Sequence, residues 1–380
     1  MAKKKQYTFI DLFAGCGGLS LGLEQAGFSP CFVNEIVGTF CQTYKANHNL
    51  PEDRYYIGDI NNLNQEIDKF SPLFKDVTLV CGGPPCQGFS MANRQRVIDD
   101  PRNQLYKAFL QFLSKVRPQF FIMENVKGMM NKIDEIEQNY REFLGDDYLF
   151  AYDILKAQDY GVPQNRERLI FIGNRVGVNP KMIFDEIYRQ RRTPFVLRDA
   201  LVGLPHLESR ADKGQKDVEN ELSGYTVREF EYIQNDFYHF INGEKVLTKL
   251  YNHKNRYNNP RDIEIYKRLP QGANSLHESI ADIMPYKSRN DIFKDKYFKL
   301  DENQICKTIT SHMKYDCNMY IHPWEARGLS PREAARIQTF PDDFVFTGAQ
   351  NLWYAQIGNA VPVKLAKAIG EGIMKFIEIK

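Results

Sequence analysis

The chain has 380 residues, 43% of them hydrophobic and 26% charged, with a formal net charge of +2. That length suits two domains, or one large domain with an insertion, and the composition is ordinary for a soluble protein with a sizeable core. The small net charge neither announces a nucleic-acid partner nor excludes one, and no apolar run reaches the ~18 residues that a membrane span needs.

The opening MAKKKQYTFIDLF is basic but lacks a long apolar region and a small-residue cleavage site, so no signal peptide is expected. The seven cysteines are Cys16, Cys31, Cys41, Cys81, Cys86, Cys306 and Cys317. An odd number without a CxxC pair argues against a disulfide framework and against zinc, and points to a reducing cytoplasm.

From Tyr7 to about Val176 short β-rich runs alternate with helical stretches. The strand-like YTFIDLF precedes the helical LSLGLEQAG, and CFVNEI precedes VGTFCQTYKANH. RYYIGDI and DVTLVCGG follow, then NQLYKAFLQFLSKV, with Leu105, Phe109, Leu110, Phe112 and Leu113 as its apolar residues. QFFIMENV and RLIFIGNRV complete the region. This rhythm predicts a mostly parallel sheet with helices on both faces. Ligands of such sheets sit beyond the carboxyl ends of the strands.

From about Pro194 to Asp301 the rhythm gives way to a polar segment rich in charge, Asn and Tyr, which predicts a second, less regular domain. Order returns in RGLSPREAARIQTFP. Ser330 suits an N-cap, Pro331 the first helical position and Glu333 a capping box. The last stretch, VKLAKAIGEGIMKFIEIK, places Leu365, Ala366, Ile369, Ile373 and Ile377 on roughly one face, and is expected to pack back on the sheet.

The residues just after the strands carry the chemistry. After the first, Gly15, Gly17 and Gly18 permit a tight turn and close backbone approach, although the spacing is not that of the G-x-G-x-x-G fingerprint. Glu35 ends the second strand, where an acid meets a ribose in such folds, and Asp59 ends the third, placed to accept from an adenine amino group. A ligand with adenosine but no pyrophosphate, such as S-adenosylmethionine, suits this turn. The fourth strand runs into GGPPCQGFS, where Pro84 and Pro85 brace the backbone before Cys86. A thiol there reads as a nucleophile rather than a core residue. With a pKa near ~8.5 only about a tenth of it is ionised near pH 7.5, so the site has to supply positive potential. The fifth strand ends in MENV and brings Glu124 beside that tip. QNRERL adds Arg166 and Arg168.

Together DLFAGCGG, NE, GDI, GGPPCQGFS, ENV, QNRERL, RGLSPREAARIQTFP and QIGNAVP closely resemble, in order, the motifs of the DNA (cytosine-5)-methyltransferase family. The resemblance covers the first ~175 residues and the last ~55. It implies an α/β fold, a Rossmann-like S-adenosylmethionine-dependent methyltransferase sheet with a smaller irregular target-recognition domain. The domains it implies are a catalytic and cofactor-binding domain over 1–193, target recognition over 194–325 and a return to the catalytic domain over 326–380.

By the same resemblance Cys86 attacks C6 of a flipped cytosine, Glu124 holds N3, and Arg168 meets the O2 side with Arg166 in support. S-adenosylmethionine would be held by Phe13, Gly15, Gly17, Gly18, Glu35, Asp59, Ile60, Pro85, Leu105, Asn359, Ala360 and Val361. Gln87, Ser90, Arg94 and Arg96, in or beside a mobile catalytic loop, would contact double-stranded DNA. No metal and no membrane is implied, and a monomer serving a restriction–modification system is expected.

Three other readings are compatible with parts of the pattern. A tRNA cytosine-5 methyltransferase shares PPCQ, but the Cys-Phe-Thr tripeptide of that branch is absent. A nucleotide-dependent dehydrogenase gives no role to PPCQG or ENV. A catalytically dead DNA-binding relative conflicts with the intact motifs.

Overall fold

A computed structural model of the chain describes residues 6–85, 104–212, 218–285 and 295–377. In chain order the first half contains β1 (Tyr7–Leu12), α1 (Gly18–Gln25), β2 (Phe28–Glu35), α2 (Gly38–Asn47), β3 (Tyr55–Ile57), α3 (Ile60–Gln65), α4 (Ser71–Phe74), β4 (Leu79–Gly82), α5 (Leu105–Val116), β5 (Phe120–Val126), α6 (Ile133–Leu144) and β6 (Leu149–Lys156). Then come β7 (Gln164–Asn165), β8 (Glu167–Asn174), α7 (Pro180–Tyr188), α8 (Leu197–Leu201), β9 (Gly224–Glu229), α9 (Asp236–Asn242), β10 (Lys249–Lys254), α10 (Pro260–Arg268), β11 (Cys306–Lys307), α11 (Pro331–Ile337), α12 (Gln350–Asn359) and α13 (Val363–Ile377).

Seven strands form one sheet in the order β3-β2-β1-β4-β5-β8-β6. The four pairings from β3 to β5 are parallel, and β8 is antiparallel to both β5 and β6. The chain leaves β1 toward β2 on one side and returns as β4 on the other. The crevice beyond β1 and β4 is therefore a topological switch point, where open α/β sheets bind ligands. Leu12 at the end of β1 pairs with Gly82 at the end of β4, which sets the two following turns side by side.

Side-chain alternation divides the core between the two faces of the sheet. Ile10, Leu12, Phe32, Val80, Phe121, Met123, Leu169 and Phe171 share one cluster with Leu63 of α3, Phe109 and Phe112 of α5, and Ile136 and Tyr140 of α6. Asp11, of opposite parity in β1, instead reaches Ser20 of α1. The amphipathic final segment forms α13 and packs on helices: a methyl group at Gly370 would meet Leu23 of α1 and Ala26 just beyond it, and one at Gly372 would meet Ile187 of α7. Leu365, Ala366, Ile369 and Ile373 are buried, while Ile377 is only half-buried.

The chain divides into two compact units, Met1–Tyr160 with Arg166–Thr193 and Val361–Lys380, and Gly161–Asn165 with Pro194–Ala360. Residues 326–360 thus group with the second unit, where the sequence had suggested a return beginning at 326. The cause lies in α11. Its Ser330 N-cap and Glu333 capping box form as expected, but its arginines are buried in second-unit contacts. Arg332 donates to the carbonyls of Tyr251 and Pro341, at 2.8 and 2.9 Å. Arg327 forks onto both oxygens of Glu333, and Arg336 pairs with Asp342. Among the described residues no helix is long and apolar enough to cross a membrane, and no group of three or more His, Cys, Asp or Glu could hold a metal ion.

Candidate active site

The turn after β1 departs from ordinary backbone geometry. Phe13, Gly15 and Gly17 have φ of 58°, 58° and 92°. Glycine takes that region freely, whereas for Phe13 it costs about 1–2 kcal/mol. Ala14 N–H donates to Asn34 O and Gly17 N–H to Ala14 O, at 3.1 and 3.0 Å, which fixes the turn. The two glycines face different surroundings. A methyl at Gly17 would overlap the rings of His48 and Tyr44, whereas nothing lies within 4 Å of one at Gly15. Gly17 is therefore the floor of the turn and Gly15 its open side. Gly18 begins α1 and is buried.

Glu35, at the end of β2, accepts from Gly15 N–H through one carboxylate oxygen at 2.7 Å and from Val37 N–H through the other at 2.8 Å. Burial pushes its carboxyl above the usual range, against those two donors. The neighbouring Asn34, which has no separate role in the sequence reading, donates to Gly58 O and Tyr56 O at 2.8 and 3.2 Å, tying β2 to the end of β3. Asp59 lies two residues beyond β3, not at its end. It caps α3 and accepts from Asn61 N–H at 2.7 Å. Ile60 is buried beneath it.

Ile36 and Ile57 follow or end adjacent strands and are 63% and 52% exposed, apolar surface beside Glu35 that the sequence reading passed over. An isoleucine placed directly after a strand-ending acid was the available signal. Phe13 and Leu105 are half-buried and pack against one core cluster. Open space at Gly15, an anchored acid and two exposed isoleucines fit an adenosyl group with an uncharged ring and a hydroxylated sugar.

Beneath this surface Asp11 is buried and accepts from Ser20 Oγ at 2.6 Å. Ser20 in turn accepts from Tyr44 OH at 2.7 Å. Burial pushes the Asp11 carboxyl up to about 7. An acid inside an apolar strand was the sequence signal for this network. Cys16, within the turn, is buried, and its thiol is pushed up to about 12, so it is inert as a nucleophile.

The second cluster gathers the ends of β4, β5 and β8. Arg168 Nε lies 2.6 Å from Glu124 Oε1, and a methyl at Gly83 would come within 2.9 Å of Glu124 Oε2. The carboxylate thus sits between the arginine and the turn leaving β4. Asn125, buried beside it, donates to Pro84 O at 3.0 Å and holds that turn. It is a positioning residue that ENV contained and the sequence did not single out. Arg166 is buried at the bend between β7 and β8, and its carbonyl accepts from Ala157 N–H at 2.8 Å. Pro85 is exposed at the tip. Cys86, Gln87, Ser90, Arg94 and Arg96 lie outside the described residues.

Val361 belongs to the first unit and is buried, and Asn359 and Ala360 close α12 in the second. The end of α12 is held by Gln338, whose amide donates to Ile357 O at 2.7 Å and Ala360 O at 3.3 Å.

Comparison with known proteins adds to this geometry. A family model described as C-5 cytosine-specific DNA methylase matches residues 7–375. The chain is 32% identical to the type II methyltransferase M1.HphI of Haemophilus parahaemolyticus, over 97% of the chain and 87% of that protein. It is 31% identical to the type II methyltransferase M.DdeI of Desulfomicrobium norvegicum, over 98% of the chain and 89% of that protein. Among solved structures it is similar to a prophage-encoded Escherichia coli protein described as a DNA modification methyltransferase. There the TM-score is 0.74 and the identity 30%, covering 98% of this chain and 100% of the other.

Proposed function

The chain belongs to the C-5 cytosine-specific DNA methylase family and is a DNA cytosine-5 methyltransferase, and from that premise we propose that it acts on an extruded cytosine through a covalent bond between Cys86 and C6. C5 of cytosine is a poor nucleophile. Addition of a thiolate at C6, with a proton delivered to N3, turns the C5–C6 unit into an enamine. Bound S-adenosylmethionine supplies an electrophilic methyl group, which C5 accepts. Loss of the C5 proton to a base then restores the double bond and expels the thiolate. A protein thiol cannot reach C6 within a base stack, so the nucleotide leaves the duplex, at a cost of a few kcal/mol.

The observation that carries this reading is the Glu124–Arg168 pair, set directly against the turn that leads through Pro84 and Pro85 into Cys86. Glu124 would serve N3 and Arg168 the O2 side, and Asn125 holds the neighbouring turn through Pro84 O. On the cofactor side Glu35 would bind the ribose, Asp59 the adenine amino group, Ile36 and Ile57 the ring faces, and Gly15 would leave room for the methionine end. The type II relatives support a role in protecting DNA within a restriction–modification system. Every described cysteine is a free thiol, which suits the reducing cytoplasm.

The test is a DNA duplex with 5-fluorocytosine at the methylated position. The wild-type chain should form a denaturation-resistant adduct in the presence of S-adenosylmethionine. Cys86→Ser should form none while still binding the cofactor. Methyl transfer by Cys86→Ser at a rate near that of the wild type would remove the mechanism.

A further inference from the structure

Two buried acids flank the turn after β1, and the function proposed above uses only Glu35. Asp11 is 1% exposed and Glu35 7%. Glu35 holds two backbone N–H groups. Asp11 accepts from Ser20 Oγ of α1 and from the Cys81 thiol of β4. The ionisable groups around Asp11 are Cys16 in the turn, Glu24 on α1, Glu35 on β2, Tyr44 on α2 and Cys81 on β4. Burial raises both thiols and the phenol, so all three stay neutral. His48, just after α2, stacks on Tyr44 with ring centroids 4.0 Å apart and turns Nδ1 to Glu24 at 2.6 Å. Among the described residues no lysine or arginine nitrogen lies within 4 Å of the Asp11 or the Glu35 carboxylate.

Buried carboxylates are ordinarily paired with a cation. Where the protein supplies none, the acid keeps its proton or a ligand brings the charge. Asp11 is also tied to the turn itself. Tyr44 OH donates to Ser20 Oγ at 2.7 Å, and the Tyr44 ring abuts Gly17, where an added methyl would collide with it and with His48. Asp11 lies two residues before Phe13 and four before Gly15, on the strand that opens into the crevice at the switch point. Buried as it is, it reaches a ligand in that crevice through its charge, which acts further in a protein interior than in water.

We propose that Asp11 is a specificity determinant of the cofactor site, favouring S-adenosylmethionine over S-adenosylhomocysteine by giving up its proton when a sulfonium cation is bound. The proposal rests on the reading above that S-adenosylmethionine fills this crevice. The two molecules share the adenine, the ribose and the amino-acid end, and differ by one methyl group and one positive charge. Burial and the charge of Glu35 raise the Asp11 carboxyl to about 7, so the unliganded chain holds that proton about half the time at neutral pH. A cation in the crevice favours the carboxylate, and the proton leaves to solvent. The neutral thioether offers no such gain, so Asp11 keeps its proton and the demethylated product is held less tightly. The preference for the charged ligand therefore grows as pH rises and levels off above about 7.

The experiment is titration calorimetry of the full chain with each of the two molecules from pH 5 to pH 8, in buffers of different ionisation enthalpy. The wild type should release about half a proton more with S-adenosylmethionine than with S-adenosylhomocysteine near pH 6.5. Its preference for S-adenosylmethionine should rise about tenfold across the range relative to that of Asp11→Asn. In that comparison Glu35 and the amines of the ligands are the same on both sides, so only Asp11 is read. Ser20→Ala keeps Asp11 but removes a donor that favours its carboxylate, so the rise should move to higher pH. Equal proton release by the two ligands in the wild type would overturn the proposal, as would a preference that varies with pH alike in wild type and Asp11→Asn. A wild-type chain that binds neither molecule would instead overturn the reading on which it rests, and this proposal with it.

Discussion

Arg168 Nε lies 2.6 Å from Glu124 Oε1, and the other oxygen of that carboxylate faces Gly83 at the exit of β4. Three strands that are distant in sequence therefore deliver an arginine, an acid and a braced turn to one point. Gly83→Ala places a methyl 2.9 Å from Glu124 Oε2, closer than such contacts occur, so the carboxylate must move. Single-turnover methyl transfer should fall about tenfold or more. Glu124→Gln should lose about 10²-fold or more, the usual scale for a proton-transfer group. Neither variant should alter cofactor affinity measured by calorimetry, and a loss of that affinity in Glu124→Gln would contradict the role assigned to it.

The two glycines of the cofactor turn should respond differently to the same change. Gly15→Ala meets open space, so its penalty is backbone strain of about 1–2 kcal/mol. The added methyl points into the open space proposed for S-adenosylmethionine, so on that proposal binding should suffer more than folding. Gly17→Ala adds a collision with His48 and Tyr44 to the same strain. Its dominant effect should be on thermal stability. Equal losses of melting temperature in the two variants would show that the open side of the turn has been misplaced.

Glu35 holds Gly15 N–H and Val37 N–H with separate oxygens. Glu35→Gln keeps one acceptor and turns the other into a donor, leaving one backbone N–H facing an amide N–H. Glu35→Ala removes both acceptors. The expected cost in stability is about 1–3 kcal/mol for a buried donor left unmade, and cofactor affinity should fall in both variants. Denaturant titration with and without S-adenosylmethionine separates the two effects. An apo stability equal to wild type in both variants would argue against the double acceptor.

The turn after β1 was legible because its geometry is local. Glycine marks the positive φ at positions 15 and 17, and an acid at a strand end marks Glu35. The capping box of α11 was legible for the same reason. Asn125 was not, because its partner Pro84 stands 41 positions away and only the β4–β5 register joins them. β6 was missed because LFAYDILK is an edge strand with largely half-exposed residues, so no continuous apolar run announces it. Arg327, Arg332 and Arg336 read as ordinary charges in sequence. Their burial depends on carboxylates and carbonyls supplied by tertiary packing, which also explains why residues 326–360 group with the second unit.

That buried cluster should make the second unit sensitive to acid. Burial pushes His253 down to about 4 and His322 down to about 3. Burial alone would raise the Glu333 carboxyl, but Arg327 holds it well below the usual range. A histidine with a depressed folded pKa contributes stability that is present above about 6.5 and is lost as pH falls through the folded value. His322→Gln can keep an acceptor for the Trp324 and Glu325 amides while removing the ionisable ring. Between pH 7 and pH 5 it should lose less stability than wild type, by about 2 kcal/mol. Curves that fall in parallel would exclude His322 as a source of the acid response.

Asp11 should act in the opposite direction. Its carboxyl is raised by burial from 3.8 to about 7, beneath the cofactor turn. Between those values the folded chain holds a proton that the unfolded chain has released. The contribution to stability is therefore full below about pH 4 and is lost as pH rises through about 7. Asp11→Asn removes the titration and leaves an amide oxygen to accept from Ser20 Oγ, which Asp11 now does at 2.6 Å. Measured by denaturant titration from pH 5 to pH 8, wild type should lose about 3 kcal/mol relative to the variant. The gap should close from the acid side, because there the two side chains are both neutral. A difference that stayed constant across the range would mean that Asp11 is already ionised at pH 5, held by the Ser20 hydroxyl and the Cys81 thiol more strongly than burial opposes it.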